Sequence, residues 1–226
     1  MIKLQDNRLV AVIPHYHEAR KEQVAECVSA LLSGSMPVDM VYVFNNNANY
    51  RLAFANTRVS VINSGFNFGS SIRYAIAYAS GADIIICCDD DIAVGEKDVE
   101  TLFDFLVENP NSIVGHLGST INDKYDPYVK RKSIVAKQPT EVDVVLGRIS
   151  AMTRETLACF FSAVYDMPLS EFGNHEDIPL SMQNRLNGNN NYVIPLNPVE
   201  LGDKGVGLEF QEDHFPHRND LARKFL

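Results

Sequence analysis

Residues 82–88 read Ala-Asp-Ile-Ile-Ile-Cys-Cys, and three aspartates, Asp89, Asp90 and Asp91, follow directly. An apolar run without polar alternation cannot leave one face in water, so as a strand it must be covered on both sides. Strands of that kind belong to parallel sheets whose crossover helices supply the cover. The three carboxylates then sit where a buried strand surfaces. Adjacent like charges there are unfavourable unless something positive arrives, and a divalent cation is the usual partner for clustered oxygen ligands.

The rest of the chain repeats the pattern. Leu9 to Pro14 is a short apolar run ending in proline, and Val24, Cys27, Val28, Leu31 and Leu32 then share one helical face. Gly34 and Pro37 close that helix, Val38 to Phe44 and Arg58 to Ile62 read as two further strands, and Ile72, Ala75, Ile76 and Ala79 recur at helical spacing up to Gly81. Ligands of such sheets collect at the carboxyl ends of the strands, where Pro14 to Glu18, Asn45 to Asn47 and Asp89 to Asp91 all fall. Three polar clusters on one edge define a candidate nucleotide site.

Beyond the aspartates, a helix is predicted around 98–107 and a strand at 112–116. Residues 117–140, with Lys124, Lys130, Arg131, Lys132 and Lys137, read as a long excursion or loop of the sort that often covers an active site, its basic residues either solvated, the preferred reading, or facing a charged acceptor. Strand pattern resumes at Val142 to Leu146, Thr153 to Val164 is helical, and Glu176-Asp177 opens another helix that carries Ile178, Met182 and Leu186 on one face. Tyr192 to Pro195 completes the strands, and a short charged helix ends the chain.

Composition excludes some partners. With 29 acidic against 20 basic residues the formal net charge is −9, which disfavours broad attraction to nucleic acid or an anionic membrane. No stretch approaches the roughly 20 apolar residues of a transmembrane segment, and the N-terminus lacks the apolar core of a signal peptide. A cytoplasmic protein is expected. Cys27, Cys87, Cys88 and Cys159 show no C-x-x-C spacing and read as reduced core residues. At 226 residues, 46% of them hydrophobic, a single domain with a substantial core is expected.

Two motif families compete for the aspartates. Asp89-Asp90-Asp91-Ile92-Ala93 resembles the D-x-D-x-T/V nucleophile motif of haloacid dehalogenase-like phosphatases, yet Ala93 stands where that family has Thr or Val. Nor is Gly202-Asp203 followed by that family's later acidic element. The D-x-D element of a GT-A glycosyltransferase is the other reading, and here the resemblance spans nearly the whole chain. Val10-Ala-Val-Ile-Pro-His-Tyr-His-Glu18 is similar to the V-x-V-V-I-P-x-Y-N-E opening of glycosyltransferase family 2. Val43 to Ala48 resembles its V-V-D-N-x-S segment, and Asn63 to Gly69 with Arg73 its N-x-G stretch. Gly147 to Arg154 resembles its glycine loop, and Gly173-Asn-His-Glu176-Asp177-Ile-Pro-Leu-Ser181 with Arg185 and Gly188 its E-D-x-D-L-S-x-R-x-x-x-G block.

That resemblance implies an α/β GT-A (Rossmann-like) fold, a mainly parallel sheet flanked by helices. Residues 1–93 would form the nucleotide-sugar-binding half and 94–226 the acceptor and catalytic half of one domain. It further implies transfer from a nucleoside-diphosphate sugar, a UDP-sugar first of all, to a glycan or other hydroxyl acceptor, with inversion and with Mn2+ or Mg2+. Pro14, His15, Glu18, Asn45, Asn67 and Arg73 would line the donor site, Asn45 standing where many members carry Asp. Asp89 would bond the ribose, Asp90 would be structural or sugar-facing, and Asp91 would ligate the metal, with His214 or His217 completing its shell. Lys204 or Arg218 would meet the diphosphate. Asp177, paired with Glu176, would be the catalytic base, although acidic residues at a helix start also serve as caps. A nucleotidyltransferase would need an N-terminal glycine-rich loop, and residues 9–20 contain no glycine. A catalytically inactive nucleotide-sugar-binding module would be expected to lack one acidic site, and both are present.

Overall fold

The structure is a computed structural model describing residues 7–121, 133–202, 205–206 and 212–226. Its elements in chain order are β1 (Leu9–His15), α1 (Lys21–Ser33), β2 (Met40–Asn45), β3 (Val59–Asn63), α2 (Ile72–Ala79), β4 (Ile84–Cys88), β5 (Ile92–Ala93) and α3 (Asp98–Glu108). Then come β6 (Ile113–Gly115), β7 (Leu117–Ser119), β8 (Ile134–Val135), β9 (Thr140–Val142), β10 (Val144–Val145), β11 (Ile149–Thr153), α4 (Arg154–Ala163), α5 (Leu169–Phe172), α6 (Asp177–Leu186), β12 (Asn191–Val193), β13 (Val199–Glu200) and α7 (His214–Arg223).

Every residue of β4 is buried, as its unbroken apolar run requires. It lies in the middle of an eight-stranded sheet of order β3-β2-β1-β4-β11-β6-β12-β9. β3, β2, β1 and β4 are mutually parallel, β12 is parallel to β6, and β11 and β9 run antiparallel to their neighbours. Two cores fill the two faces. Ile84, Ile86 and Cys88 point to the side covered by α1 and α3, while Ile85 and Cys87 point to the side covered by α2, α4 and α6. The adjacent cysteines thus face opposite ways, as a strand demands, and all four cysteines are free thiols.

Two expected helix faces shift. In α2 the buried residues are Arg73, Tyr74 and Ala77 rather than the Ile72, Ala75, Ile76, Ala79 stripe. Arg73 turns inward because the carboxylates of Asp89 and Glu176 and two backbone carbonyls await it there, and that pairing outweighs the hydropathy of its neighbours. In α6 Leu180 joins Ile178 and Met182 in the core, while Leu186, the last helical residue, is 63% exposed. Residues 117–140 are not wholly loop: β7 pairs with β10 on one side and β8 on the other in a three-stranded sheet, and Lys124 to Lys132 fall outside the described residues. The helix predicted over 153–164 is α4, with the Thr153 hydroxyl accepting from the Thr156 amide at 3.2 Å as its N-cap.

Strand register delivers the functional edge. His15 lies opposite Asn45, and Asn45 opposite Asn63, so three polar residues form one row at the carboxyl ends of β1, β2 and β3. Asp89 follows β4 on the same edge. The 64–71 segment beyond β3 is clamped from both sides. Asn46 Nδ2 donates to the Gly69 carbonyl and Asn46 Oδ1 accepts from the Phe68 amide, while the Ser71 amide donates to the Gly173 carbonyl. At Gly69, φ is +71° and a Cβ would run into the Gly173 carbonyl oxygen; at Gly81, also at +71°, a Cβ would meet open space.

These two glycines form an internal control. Gly81→Ala carries only the left-handed strain of about 1–2 kcal/mol, whereas Gly69→Ala adds a backbone collision and should destabilise by clearly more. Urea denaturation of both variants tests this; equal midpoints would mean the backbones of 69 and 173 do not touch.

Candidate active site

The three aspartates meet three arginines drawn from three different segments. Asp89, whose side chain is 30% exposed, accepts from Arg73 Nη2 at 2.8 Å. Asp90 is buried, with Oδ2 2.6 Å from His15 Nδ1 and Oδ1 accepting from Arg20 Nη1 at 2.8 Å. Arg20 Nη1 also lies 3.1 Å from Asp91 Oδ2, and Arg148 Nη2 lies 3.4 Å from Asp91 Oδ1 and 2.5 Å from Glu200. Although within ion-pair range of Arg148, Asp91 Oδ1 is buried and accepts no hydrogen bond. Burial pushes the Asp91 carboxyl up, the charge of Asp89 adds to this, and Arg148 and Arg20 only partly oppose it, leaving it at about 6.

The chain behind the aspartates is fastened. The Asp89 amide donates to the Arg148 carbonyl, the Leu201 amide donates to the Asp91 carbonyl, and β13 pairs antiparallel with β5.

Arg73 carries the arrangement across to α6. It is 3% exposed, and besides bonding Asp89 it places Nε 3.1 Å from Glu176 Oε1 and donates to the carbonyls of Gly147 at 2.8 Å and Ser70 at 3.2 Å. Glu176 also accepts from the Ser70 hydroxyl. Burial raises the Glu176 carboxyl and nearby Asp177 raises it further, against the pull of Arg73. Asp177 is held by both arms of Arg218, at 2.9 and 2.7 Å, with both residues buried. Burial would raise its carboxyl too, but Arg218 more than reverses this and holds it below the usual carboxylate range. Neither acid caps α6, whose N-terminus has no side-chain cap bond. Both carboxylates are committed to buried arginines instead.

Only with this geometry in view do the relatives carry weight. The model of the family described as Glycosyl transferase family 2 matches residues 10–168, more than half of the chain and ending short of Glu176 and Asp177. The chain belongs to glycosyl transferase family 2. Among solved structures, a similar one is described as the crystal structure of GalNAc-T7 with UDP, GalNAc and Mn2+, with a TM-score of 0.66 at 9% identity. The likeness covers 88% of this chain but 44% of that one, so this chain spans less than half the length of that relative. At that identity the likeness concerns the fold, which is GT-A. No curated protein matches the chain in sequence.

Family membership sets aside the phosphatase reading. The positions expected to line the donor site differ in how they are placed. Pro14 is half-buried, Glu18 and Asn67 are exposed, and Asn67 Oδ1 accepts from the Gly69 amide at 2.9 Å. His15 is buried between Asp90 and the Tyr50 hydroxyl. Asn45 is fully buried, donating to the Tyr50 carbonyl and Asn63 Oδ1 and accepting from the Asn47 amide, which commits its side chain to the loop. Lys204 lies outside the described residues.

His214 and His217 gather with His175, ring centroids 5.1 and 4.7 Å away, and His217 Nε2 lies 2.9 Å from the Glu171 carbonyl. Among the described residues no three His, Cys, Asp or Glu side chains converge to hold a metal ion, so Asp91, His214 and His217 do not form one donor set. The Asp91 oxygen that accepts no hydrogen bond nevertheless fits a hard dication. Such ions are commonly held by one or two carboxylates, with substrate phosphates and water completing the shell.

Arg20, Arg148, Ser70 and His175 were not singled out by sequence. Arg20 and Arg148 carry a signal that reasoning could have used: three adjacent carboxylates require nearby cations, and both arginines flank strands of the same edge. Ser70 and His175 carry no such signal.

His175 is buried, and its Nδ1 has no hydrogen-bond partner. Burial, reinforced by Arg218, lowers its pKa to about 3. A base depressed on folding from an ordinary 6.5 contributes stability above pH 6.5 that is lost as pH falls from there towards 3. Thermal melts of wild type should therefore fall more steeply between pH 7 and 5 than those of His175→Gln. Parallel curves would contradict a neutral buried imidazole.

Proposed function

We propose that the chain moves a sugar from a nucleoside-diphosphate sugar to a hydroxyl of a glycan or other acceptor, with Mn2+ or Mg2+ and with inversion at the anomeric carbon. The Arg73 bridge is the observation that carries this reading. One buried guanidinium joins Asp89, after β4, to Glu176, at the start of α6, which supports reading the donor motif and the acid pair as one site. A UDP-sugar is the first choice, supported by the UDP and Mn2+ named for the GalNAc-T7 structure. Residues 1–93 are read as the donor half and 94–226 as the acceptor and catalytic half.

In this reading Asp89, the most exposed of the three aspartates, bonds the ribose and Asp91 holds the metal, while Asp90 organises His15 and Arg20. A dication held by Asp91 would neutralise charge on the departing diphosphate, and no protein acid would then be needed for departure. Asp177 takes the proton of the acceptor hydroxyl as that oxygen bonds the anomeric carbon. The carbon–oxygen bond to the phosphate breaks on the opposite side, its electron pair leaving with the nucleoside diphosphate. Attack opposite the leaving group inverts the centre. Being 3% exposed and engaged by both carboxylates, Arg73 positions Asp89 and Glu176.

Positioned general bases contribute about 10²–10⁴-fold to rate. Asp177→Asn should therefore lose transfer by at least about a hundredfold while keeping its fold by circular dichroism and still binding a nucleoside diphosphate. Undiminished transfer by a folded Asp177→Asn would remove the base assignment. The metal and donor assignments fail if none of UDP, GDP and dTDP raises the melting temperature with manganese present.

A further inference from the structure

Resting on that reading, we infer that Arg218 serves two anions in turn: the carboxylate of Asp177, where the structure holds it, and the diphosphate of the donor, whose arrival releases the base. Arg218 Nη1 donates to Asp177 Oδ1 at 2.9 Å and Nη2 to Oδ2 at 2.7 Å. Both carboxylate oxygens are thereby engaged by one planar fork. Asp177 in this pairing stays charged but is quenched as a proton acceptor, since a base works best with its pKa near the operating pH.

The guanidinium fork matches phosphate as well as carboxylate. A diphosphate beside Asp89 and Asp91 would lie within one side chain of α6, because Arg73 alone spans from Asp89 to Glu176, the residue before Asp177. Arg218 has a firm base from which to turn: α7 is seated through buried Asn219, Leu221 and Ala222, so the exchange asks for a side-chain swing and not for undocking of the helix. Once Arg218 leaves, the burial that raises the Asp177 carboxyl is opposed only by His175 and Arg73. The carboxyl then rises towards the range of a useful base. The base would be armed only after the leaving group is in place, which keeps the carboxylate from taking up a proton before the donor arrives.

Exchange of one cation between two anions has a thermodynamic signature, because whatever weakens one pairing strengthens the other. Calorimetric titration of UDP in manganese buffer into four proteins reads it directly: wild type, Asp177→Asn, Arg218→Met and the double variant. A neutral amide holds a guanidinium less firmly than a carboxylate does, so Asp177→Asn should bind UDP about tenfold more tightly than wild type. Arg218→Met should bind about tenfold more weakly, and the double variant should match Arg218→Met, the gain from Asn vanishing without Arg218. If Asp177→Asn melts far below wild type, Asp177→Ser replaces it, and Arg218→Met by itself still decides, because wild-type affinity in that variant overturns the proposal. So does a gain from Asp177→Asn that persists in the Arg218→Met background. A wild type that binds none of UDP, GDP and dTDP sinks the donor reading together with this one. A wild type that binds, with both single variants matching it, sinks the exchange alone.

Discussion

Five carboxylates, those of Asp89, Asp90, Asp91, Glu176 and Asp177, lie along one edge of the sheet, and four of these residues are buried. Removing charge from water is expensive, and a buried pair repays the cost only when its geometry is good and the remaining lone pairs are used. The Arg73 guanidinium is the central repayment. It faces carboxylates from two distant stretches of chain and two backbone carbonyls besides, all from a residue 3% exposed. Arg20, Arg148 and Arg218 repeat the device around it. Taking away one such partner strands a charge, typically at 3–5 kcal/mol, so the acids and their arginines must be kept as a set.

The one carboxylate left partly unpaid is Asp91. Its Oδ1 is enclosed but accepts no hydrogen bond, and its acid stands at about 6. Every other acid at this edge is either quenched by a guanidinium or, like Asp89, partly open to water. The unevenness locates where added positive charge would be most stabilising, and it does so without reference to any relative.

The sheet was readable because hydrophobic runs say which segments must be covered on both faces, and Leu9–His15, Met40–Asn45 and Ile84–Cys88 admit little else. The carboxyl-edge clusters followed from strand direction. What sequence could not supply was the direction of charged side chains. Arg73 sits in a helix whose aliphatic residues suggest another face, and it was expected among donor contacts; only the carboxylates that converge from β4 and α6 turn it inward. Asn45 was likewise read as facing the nucleoside, but its amide is consumed by Tyr50, Asn63 and Asn47, the farthest of them eighteen residues along the chain. His214 and His217 were read towards the metal, and the fold gathers them with His175. Periodicity is local and register follows from it, whereas ion-pair partners are chosen by tertiary approach.

The contact between Gly69 and Gly173 has a further consequence. Where two elements meet through side chains, their spacing can drift as residues are exchanged for larger or smaller ones. Here backbone rests on backbone, with the Gly173 carbonyl accepting from the Ser71 amide and nothing between them that substitution could trim. The gap between the end of β3 and the start of α6 is therefore fixed by bond lengths and atomic radii, like a gauge block. A lineage carrying this contact could change what it binds on either side, but could not widen the span between the two sides without first giving up the contact itself.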